Sequence, residues 1–393
     1  MHNEIDIGMK YYVIAGEASG DLHASNLIKS IKLNDASAEF RGWGGDLMQQ
    51  QGVNLVKHYR DLAFMGFAEV IQHLPEILRN IKFCKNDILT YKPDVLILVD
   101  YPGFNLRIAK FAKKAGFKIV YYVSPQVWAW KASRVHLIKE VVDKMMVIFP
   151  FEKSFYKKYN YDVEFVGHPL LDVISKSPYS SLNDFQKANN LPDKPIIALL
   201  PGSRHQEIQN MLPVMRDTAL AFPNYQFVIA GAPSARKEWY GDFLNTPNIS
   251  IVYDKTYELL SHSFAGLITS GTATMEAALW GVPEVICYRA KGLTGTISYH
   301  LAKQLIGKKL KFIGIVNLVM EKEVVKELIQ HELTAENLSL ELKKLTQDHD
   351  YRDQIISEYK LINEKLGGPG ASARAAKVIS DFLATTKTPP ISS

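Results

Sequence analysis

Five short polar loops hold the residues of this chain that could do chemistry, and each follows an apolar run typical of a buried strand. In the second loop, Asp100 ends the apolar run Val95–Val99. A carboxylate at that point is costly to bury without a partner or a catalytic task. Two interpretations remain open: a general base that faces a cleft, and a carboxylate that accepts hydrogen bonds from nearby backbone amides.

The first loop, Gly16–Asp21, follows the predicted strand Tyr11–Ala15. Its two glycines let the backbone turn and approach a ligand, but their spacing is not the G-x-G-x-x-G of dinucleotide-binding proteins. Glu17 and Ser19 would lie at the mouth of a cleft, where they suit the hydroxyl groups of a sugar. Asp21 is predicted to cap the helix that follows it.

The third loop, Tyr122–Lys131, contains two of the five tryptophans and is followed by further cations. An aromatic surface beside positive charge is suited to a sugar face and a phosphate, which makes Trp128, Lys131 and Arg134 candidate binding residues. The alternative is a loop that the tryptophans anchor in the core, next to a solvated basic helix.

The fourth loop, Leu200–Arg204, lies between a predicted strand and a predicted helix. Gly202 permits close backbone approach, the helix N-terminus favours anions, and Arg204 can bind a phosphate in bidentate fashion. We therefore predict a diphosphate site at Gly202, Ser203 and Arg204.

The fifth loop again opens a helix after a strand and is rich in hydroxyl groups. Ser270, Gly271 and Thr272 form a second predicted anion site, and Glu276 lies one turn into the helix, where it would accept hydrogen bonds from ribose. The two hydroxyl residues are also good N-caps, a role that is compatible with anion binding.

Two runs of alternating strand and helix position these loops, so we predict an α/β protein with two doubly wound, Rossmann-like domains. The first spans 1–170, a Pro- and Ser-rich linker spans 171–195, and the second spans 196–366. The segment from about Val324 to Leu366 is predicted to be helical. A last helix covers about 371–385, and the tail 386–393 is predicted to be disordered. Ligands of such sheets bind at the carboxyl ends of the strands, which places the five loops at a cleft.

Composition excludes several function classes. The 393 residues are 47% hydrophobic and carry a formal net charge of +5, which is ordinary for a globular protein and too mild to indicate a nucleic-acid partner. Cys84 and Cys287 have no metal-like spacing, and the first residues contain no apolar signal-peptide core. We therefore expect a cytoplasmic protein. Whether it forms a homodimer is left open.

Motifs of other chemistries do not occur. The sequence contains no G-x-S-x-G elbow, no P-loop, no H-E-x-x-H and no pair of Cys-x-x-Cys motifs. Asp348-His349-Asp350 matches the D-x-D signature of one class of glycosyltransferase, but it lies in a polar helical stretch and is assigned to a surface helix. We expect neither a metal ion nor a cofactor.

The stretch Met65–Lys85 carries apolar residues at three- and four-residue steps, with cations near its end. It is either a helix packed on the first sheet or a helix that faces lipid within a basic margin. Pro75 should kink or split it.

In combination, these blocks resemble the lipid-A-disaccharide synthase family. The resemblance rests on Ala15–Asp21, Tyr122–Trp130, Leu199–Arg204, the turn Phe165–His168 and the helix start Ser270–Ala273, and it runs from about Tyr12 to past Asn317. It implies an inverting glycosyltransferase of the B-type (GT-B) fold. Such an enzyme joins UDP-2,3-diacylglucosamine to 2,3-diacylglucosamine 1-phosphate (lipid X) through a β-1,6 bond and releases UDP.

The resemblance also implies roles for individual residues. Asp100 matches the base for the acceptor hydroxyl, and Glu17 and Ser19 match the acceptor-side loop. The matches on the UDP side are Arg204, Ser270, Gly271, Thr272, Glu276 and Asn317. The last helix is implied to complete the first domain, and the protein to contact the inner face of the bacterial inner membrane through about Met65–Lys85. Two positions depart from the family pattern: Gly103 stands where a second aspartate is common, and Ile315-Val316 stands where Leu-Pro is common.

Two other functions compete with this interpretation. One is another enzyme of the same architecture, either a UDP-sugar epimerase or a transferase to a soluble acceptor, which would not need the apolar stretch. The other is a protein that binds a nucleotide or a lipid without catalysis, for which a carboxylate at the end of a buried strand has no use.

Overall fold

The structure is a computed structural model and describes residues 8–62, 74–130, 132–174, 179–233, 235–289 and 312–385. The chain divides into two compact units. Unit 1 comprises Met1–Ser175 together with Leu366–Ser393, and unit 2 comprises Lys176–Lys365. The predicted fold class, an α/β protein with two parallel sheets covered by helices, is confirmed.

Unit 1 is built on a parallel sheet of seven strands in the order β3-β2-β1-β4-β5-β6-β7. The strands are β1 Lys10–Ala15, β2 Glu39–Gly44, β3 Asn54–His58, β4 Val95–Val99, β5 Lys118–Tyr122, β6 Lys144–Val147 and β7 Glu164–Phe165. The helices are α1 Ala18–Asn34, α2 Asp46–Gln50, α3 Leu74–Tyr91, α4 Pro102–Lys114, α5 Val127–Trp130, α6 Arg134–Val141, α7 Pro150–Lys157 and α8 Leu170–Ile174, with α16 Ala371–Thr385 from the end of the chain.

Unit 2 contains a parallel sheet of six strands in the order β10-β9-β8-β11-β12-β13. The strands are β8 Ile196–Leu200, β9 Gln226–Gly231, β10 Ile249–Tyr253, β11 Ser263–Thr269, β12 Glu284–Tyr288 and β13 Glu327–Ile329. The helices are α9 Leu182–Ala188, α10 His205–Leu220, α11 Thr256–His262, α12 Thr272–Leu279, α13 Ile315–Met320, α14 Ala335–Gln347 and α15 His349–Lys365.

The central strands are apolar along their whole length because helices cover both faces of a parallel sheet. All five residues of β4 are buried, as are all five of β8. In unit 1 the strand order reverses between β1 and β4, and in unit 2 it reverses between β8 and β11. At such a reversal the loops leave the sheet in opposite directions and open a crevice at the carboxyl ends of the strands. Four of the five predicted loops follow these four strands.

The end of the chain belongs to unit 1. The carboxylate of Asp172 in α8 accepts hydrogen bonds from the backbone amides of Gly370, Ala371 and Ser372, with one oxygen 2.8 Å from the Ser372 amide nitrogen. A carboxylate in this position satisfies amides at a helix start that have no partner within the helix. It therefore attaches α16 to the first sheet, where α16 packs against α1.

The structure differs from the sequence expectations in three places. The segment from about Val324 to Leu366 is not helical throughout, because Glu327–Ile329 pairs with β12 as an edge strand. The segment 171–195 is more than a linker, since it contains α8 and α9, and Phe185 of α9 lies in the core of unit 2. Helix α4 begins at Pro102, a few residues before its predicted start at about Leu106.

Three predictions fall wholly or partly outside the described residues: the tail 386–393, residues 65–73 of the apolar stretch, and the binding residue Lys131. The remainder of that stretch forms the first two thirds of α3. Among the helices that the structure describes, none combines the length and the apolar character needed to cross a membrane.

Candidate functional site

The crevice of unit 1 is formed by backbone in an unusual conformation. Asp100 and Tyr101, directly after β4, both have positive φ angles of 44° and 48°, and Val123, directly after β5, has a φ of 61°. Residues with a Cβ rarely adopt this left-handed conformation, and a β-branched valine does so least readily. Each such residue costs about 1–3 kcal/mol and persists only where its surroundings impose it. Strain of this kind clusters at functional sites.

Hydrogen bonds from three directions hold Asp100 in this turn. The side-chain amide of the fully buried Asn105 donates to the carbonyl oxygens of Asp100 at 2.8 Å and Val99 at 3.2 Å. The hydroxyl of Tyr121 donates to the same Asp100 carbonyl, and the Asp100 amide donates to the Tyr122 carbonyl at 3.2 Å. The loop after β4 is therefore attached both to its own helix and to β5.

The Asp100 carboxyl is suited to act as a base near neutral pH. Its pKa is raised from 3.8 to about 7, mainly by burial and also by the negative charge of Glu17, while a hydrogen bond from the Tyr101 amide opposes both effects. A base whose pKa lies near the working pH combines a large deprotonated fraction with a strong tendency to accept a proton. Of the two interpretations of Asp100, these observations favour a general base. Its carboxylate also accepts one hydrogen bond from a local backbone amide, that of Tyr101.

The first two loops lie against each other. A Cβ added to Gly16 would lie 2.2 Å from Cδ1 of Tyr101, so the ring of Tyr101 occupies the space that any other residue would need. Glu17 precedes the first residue of α1, and Ser19 lies in the first turn; both are partly buried. Glu17 thus lies near enough to Asp100 to raise the pKa of that carboxyl, and Ser19 lies in the same loop two residues further on.

The prediction that Asp21 caps its own helix is wrong. Asp21 lies inside α1, and its buried carboxylate instead accepts hydrogen bonds from the amides of Gly45 at 2.8 Å, Leu47 at 3.1 Å and Met48 at 3.1 Å. These amides belong to the start of α2, so Asp21 caps a helix that follows it by 25 residues. Only the tertiary fold brings the two helix starts together.

The tryptophan loop is partly a core element. The partly buried indole of Trp128 packs edge-on against Phe151, with the ring centroids 5.0 Å apart. The neighbouring Glu152 is fully buried, and its carboxylate accepts hydrogen bonds from the backbone amides of Ile148 and Phe149. This favours the anchored-loop interpretation for Trp128. Arg134 begins α6 and is partly exposed, whereas Lys131 lies outside the described residues.

In unit 2 the loop after β8 satisfies its own amides. Glu207 accepts hydrogen bonds from the amides of Ser203 at 3.0 Å and Arg204 at 3.3 Å, and its other oxygen pairs with the Arg204 guanidinium at 3.3 Å. Gly202, with a φ of 106°, leaves room for this carboxylate, since a Cβ there would lie 2.5 Å from Oε2 of Glu207. Because Glu207 already occupies the two amides, an anion that binds at this loop would contact the exposed guanidinium of Arg204 first.

The loop after β11 offers a helix start without a side-chain cap. Gly271 is the N-cap residue of α12, and neither Ser270 nor Thr272 caps it. The Ser270 hydroxyl instead donates to the carbonyl of Ile313 at 3.4 Å, and its amide donates to the Cys287 carbonyl at 2.9 Å. The capping role that the sequence allowed for the two hydroxyl residues is thus wrong.

Glu276, one turn into α12, is partly buried, and burial raises its pKa to about 7. No hydrogen bond to its carboxyl group is found among the described residues. A carboxyl group that is half ionised near neutral pH and lacks an internal partner is suited to bind the hydroxyl groups of a ligand.

Asn317 does not present its side chain to a ligand. It is fully buried, and its amide nitrogen donates to the Val325 carbonyl at 2.9 Å and to Oε1 of Glu327 at 2.8 Å. Its amide oxygen accepts from the amides of Val324 at 2.8 Å and Val325 at 3.1 Å. These four bonds use the whole hydrogen-bonding capacity of the nitrogen and both lone pairs of the oxygen. The structure therefore assigns Asn317 an indirect role.

Sequence reasoning missed Asn105, Tyr121 and Glu327 as supporting residues. Asn105 carries a weak signal, a polar residue three positions after a helix-starting proline on an otherwise apolar face. The other two carry none, because their partners are backbone groups distant in sequence. Asp348 and His349 lie at the junction of α14 and α15, exposed at the surface as expected.

Comparisons with known proteins agree with one another. A family model described as Lipid-A-disaccharide synthetase matches residues 11–378. The chain is 40% identical over 378 residues to the lipid-A-disaccharide synthase of Geobacter metallireducens, which covers 94% of this chain and 96% of that protein. It is 39% identical over 376 residues to the enzyme of the same name from Coxiella burnetii, with 94% and 98% covered.

Solved structures share the fold at low identity. A UDP complex of MnaA from S. aureus superposes with a TM-score of 0.69 at 14% identity, covering 97% of this chain and 99% of that chain. A UDP-GlcNAc 2-epimerase from Neisseria meningitidis bound to UDP-GlcNAc gives 0.66 at 13%, with 96% and 100% covered. The calicheamicin glycosyltransferase CalG4 gives 0.58 at 18%, with 97% and 100% covered. These likenesses show that the chain has the fold of B-type glycosyltransferases and of these epimerases.

Proposed function

Since the chain belongs to the lipid-A-disaccharide synthase family, and is thus a glycosyltransferase that makes the lipid A disaccharide, we propose that its donor is UDP-2,3-diacylglucosamine and its acceptor 2,3-diacylglucosamine 1-phosphate. The observation that carries the catalytic part is Asp100, held in a strained turn at the carboxyl end of β4 with a pKa of about 7. No other carboxyl group of the described part of unit 1 combines this position with this pKa and partial access to solvent.

The reaction requires one proton transfer and one displacement. Asp100 takes the proton of the acceptor 6-hydroxyl while that oxygen attacks the anomeric carbon of the donor. The bond from the anomeric carbon to the diphosphate oxygen breaks, and UDP leaves with the electron pair. Attack from the face opposite the leaving group inverts the anomeric centre and gives the β-1,6 bond.

Unit 2 supplies groups that can stabilise the leaving UDP. The exposed guanidinium of Arg204 offers charge-assisted hydrogen bonds to a diphosphate. The start of α12, which no side chain caps, adds amides oriented toward an anion. Glu276 then accepts hydrogen bonds from the ribose hydroxyls. These groups act on charge that develops in the transition state, where their effect on the rate is largest.

Helix α3 supports a peripheral contact with a membrane. Its outer surface carries the exposed side chains Leu78, Phe83 and Leu89, with relative exposures of 55%, 48% and 45%, beside the cations Arg79 and Lys82. Apolar side chains within a basic margin suit the interface of an anionic bilayer. We place this contact at the cytoplasmic face of the inner membrane, where two acylated substrates would be available.

The test is a direct assay of product. Purified protein is incubated with both proposed substrates in mild detergent with excess chelator, and UDP and disaccharide are followed by mass spectrometry. We expect chelator-resistant product from the wild type and none from Asp100→Asn. Product from both proteins would remove Asp100 as the base. Tight binding of UDP without any product would point to a different acceptor.

The membrane contact has its own test. Flotation with vesicles of anionic phospholipid should retain the wild type and release a Leu78→Ser/Phe83→Ser variant. Leu361→Ser, which changes a leucine of α15 that is 44% exposed, is the matched control and should float as the wild type does. Equal flotation of all three proteins would remove α3 as the contact.

A further inference from the structure

The partly buried carboxylate of Glu327, at the start of β13, accepts hydrogen bonds from three donors. Its Oε2 accepts the amide of Ile313 at 3.0 Å, and its Oε1 accepts the amide of Gly314 at 3.0 Å and the side-chain amide of Asn317 at 2.8 Å. All three donors belong to the segment that opens α13. The carboxylate therefore fixes the backbone of that segment from the neighbouring strand.

Two features make this arrangement specific. A Cβ added to Gly314 would lie 2.3 Å from Cδ1 of Ile286 and 3.0 Å from Oε1 of Glu327, so the carboxylate approaches the backbone closely only because glycine stands there. Asn317, which bonds to Glu327, also holds the amides and carbonyl of the turn before β13. Glu327 and Asn317 therefore fix both ends of the connection between α13 and β13, and we call this pair of side chains the clip.

The clip reaches the predicted nucleotide loop through one carbonyl group. Ile313, whose amide Glu327 holds, accepts the hydrogen bond of the Ser270 hydroxyl on its own carbonyl oxygen at 3.4 Å. Ser270 is the residue immediately before the N-cap of α12, and α12 packs against α13. A displacement of Ile313 would therefore shift Ser270 and the start of α12, which we assign to diphosphate binding.

The charge of Glu327 suits this role. Burial raises the pKa of Glu327 above its ordinary value, and the three hydrogen bonds that its carboxylate accepts lower the pKa against that effect. Glu284 lies near enough to repel it, but burial raises the pKa of Glu284 well above its ordinary value, so Glu284 stays protonated and neutral.

We propose that Glu327 is a positioning residue for a nucleoside diphosphate: with Asn317 it fixes Ile313, and through the Ser270 hydroxyl it holds the start of α12 in its binding conformation. The proposal rests on the proposed UDP site and adds a residue that touches neither substrate. Its ligand class is the diphosphate of the leaving nucleotide.

The experiment measures UDP binding by calorimetry on the purified full chain, apart from any activity. Glu327→Gln keeps the size of the side chain but replaces one acceptor oxygen with a donor group, which faces backbone amides. We expect the Kd for UDP to rise about tenfold and the KM for the donor to rise with it, with less than a twofold change in kcat. Glu323→Gln, four residues earlier on an exposed ion pair with Lys326, is the matched control and should bind as the wild type does.

A double-mutant cycle separates positioning from general destabilisation. Ser270→Ala should weaken UDP binding by itself, and Glu327→Gln should add less than threefold on that background, because both act through the same hydrogen bond. If the full tenfold effect remains on the Ser270→Ala background, Glu327 does not act through Ser270. An unchanged Kd in a folded Glu327→Gln protein overturns the positioning role as well.

Two other results would also bear on the proposal: a Glu327→Gln protein that does not fold, and a wild type that does not bind UDP. If Glu327→Gln does not fold, Glu327→Asp is measured in the same way; it keeps the charge but shortens the reach, and it must weaken UDP binding without a matching fall in Tm. If the wild type binds no UDP, the assignment of the donor fails and this proposal fails with it. Failure of Glu327→Gln alone to affect binding leaves the proposed function intact.

Discussion

Replacing Asp100 by asparagine should remove activity and stabilise the protein at the same time. Asparagine has the same shape but cannot accept a proton at neutral pH, so kcat/KM should fall about 10²–10⁴-fold. In the wild type, burial and the nearby charge of Glu17 together raise the pKa of Asp100 from 3.8 to about 7. The folded carboxyl therefore holds its proton at a pH where the unfolded chain has released it, and folding loses stability as the pH rises through this window.

The magnitude follows from the size of the shift. Roughly three pKa units at about 1.36 kcal/mol each set an upper limit of about 4 kcal/mol, and partial access to solvent reduces this to about 2 kcal/mol. The penalty is absent below pH 4, grows between pH 4 and pH 7, and stays constant above pH 7. Asp100→Asn carries no such penalty, so its advantage should be about 2 kcal/mol at pH 8, which is about 4–8 °C in Tm for a unit of this size.

The assay combines thermal unfolding with kinetics at pH 5 and pH 8. The wild type should lose about 90-fold in kcat/KM between pH 8 and pH 5 as Asp100 becomes protonated. Asp381→Asn, on the exposed surface of α16 where the carboxylate pairs with Lys377, is the control and should show neither effect. An Asp100→Asn protein that is no more stable than the wild type at pH 8 would refute the buried-charge reasoning. Retained activity would refute the assignment of the base.

Three further predictions concern the same crevice. Glu17→Gln removes a negative charge that raises the pKa of Asp100, so the acid limb of the pH–rate profile should move down by about one unit; an unmoved limb would contradict the coupling. Asn105→Leu should cost about 1–3 kcal/mol in urea unfolding and lower kcat more than it raises KM, because it frees the Asp100 turn; unchanged kinetics in the destabilised protein would limit Asn105 to a structural role. Gly16→Ala should displace the Tyr101 ring and lower kcat/KM at least tenfold with an unchanged circular dichroism spectrum; wild-type kinetics would show that the ring position is not needed.

Much of the site was accessible from the sequence because chemistry in parallel α/β sheets sits at the carboxyl ends of strands. The apolar runs before Asp100 and before Gly202 each mark a central strand, so the loops after them lie at the reversals of strand order in the two units. The residue types in those two loops then indicate a base and an arginine for a phosphate.

Strands β2 and β13 were not accessible from the sequence in the same way. Strand β2 contains Arg41 and two glycines, and β13 has only three residues, so neither shows a regular apolar pattern. Each is held by backbone pairing with neighbouring strands, β2 with β1 and β3, and β13 with β12. Pairing with a distant strand is a tertiary event that local sequence patterns do not record.

By itself, the sequence determined the fold class, the family and the loops that carry the chemistry, because strand periodicity and motif order are local properties of the chain. Only the tertiary structure decided what each polar side chain does. It directed Asp21 to a distant helix start, engaged Asn317 entirely with backbone and with Glu327, and raised the pKa of Asp100 by burial. Hydrogen-bond partners and solvent exposure depend on which segments meet in space, and that arises only when the whole unit has folded.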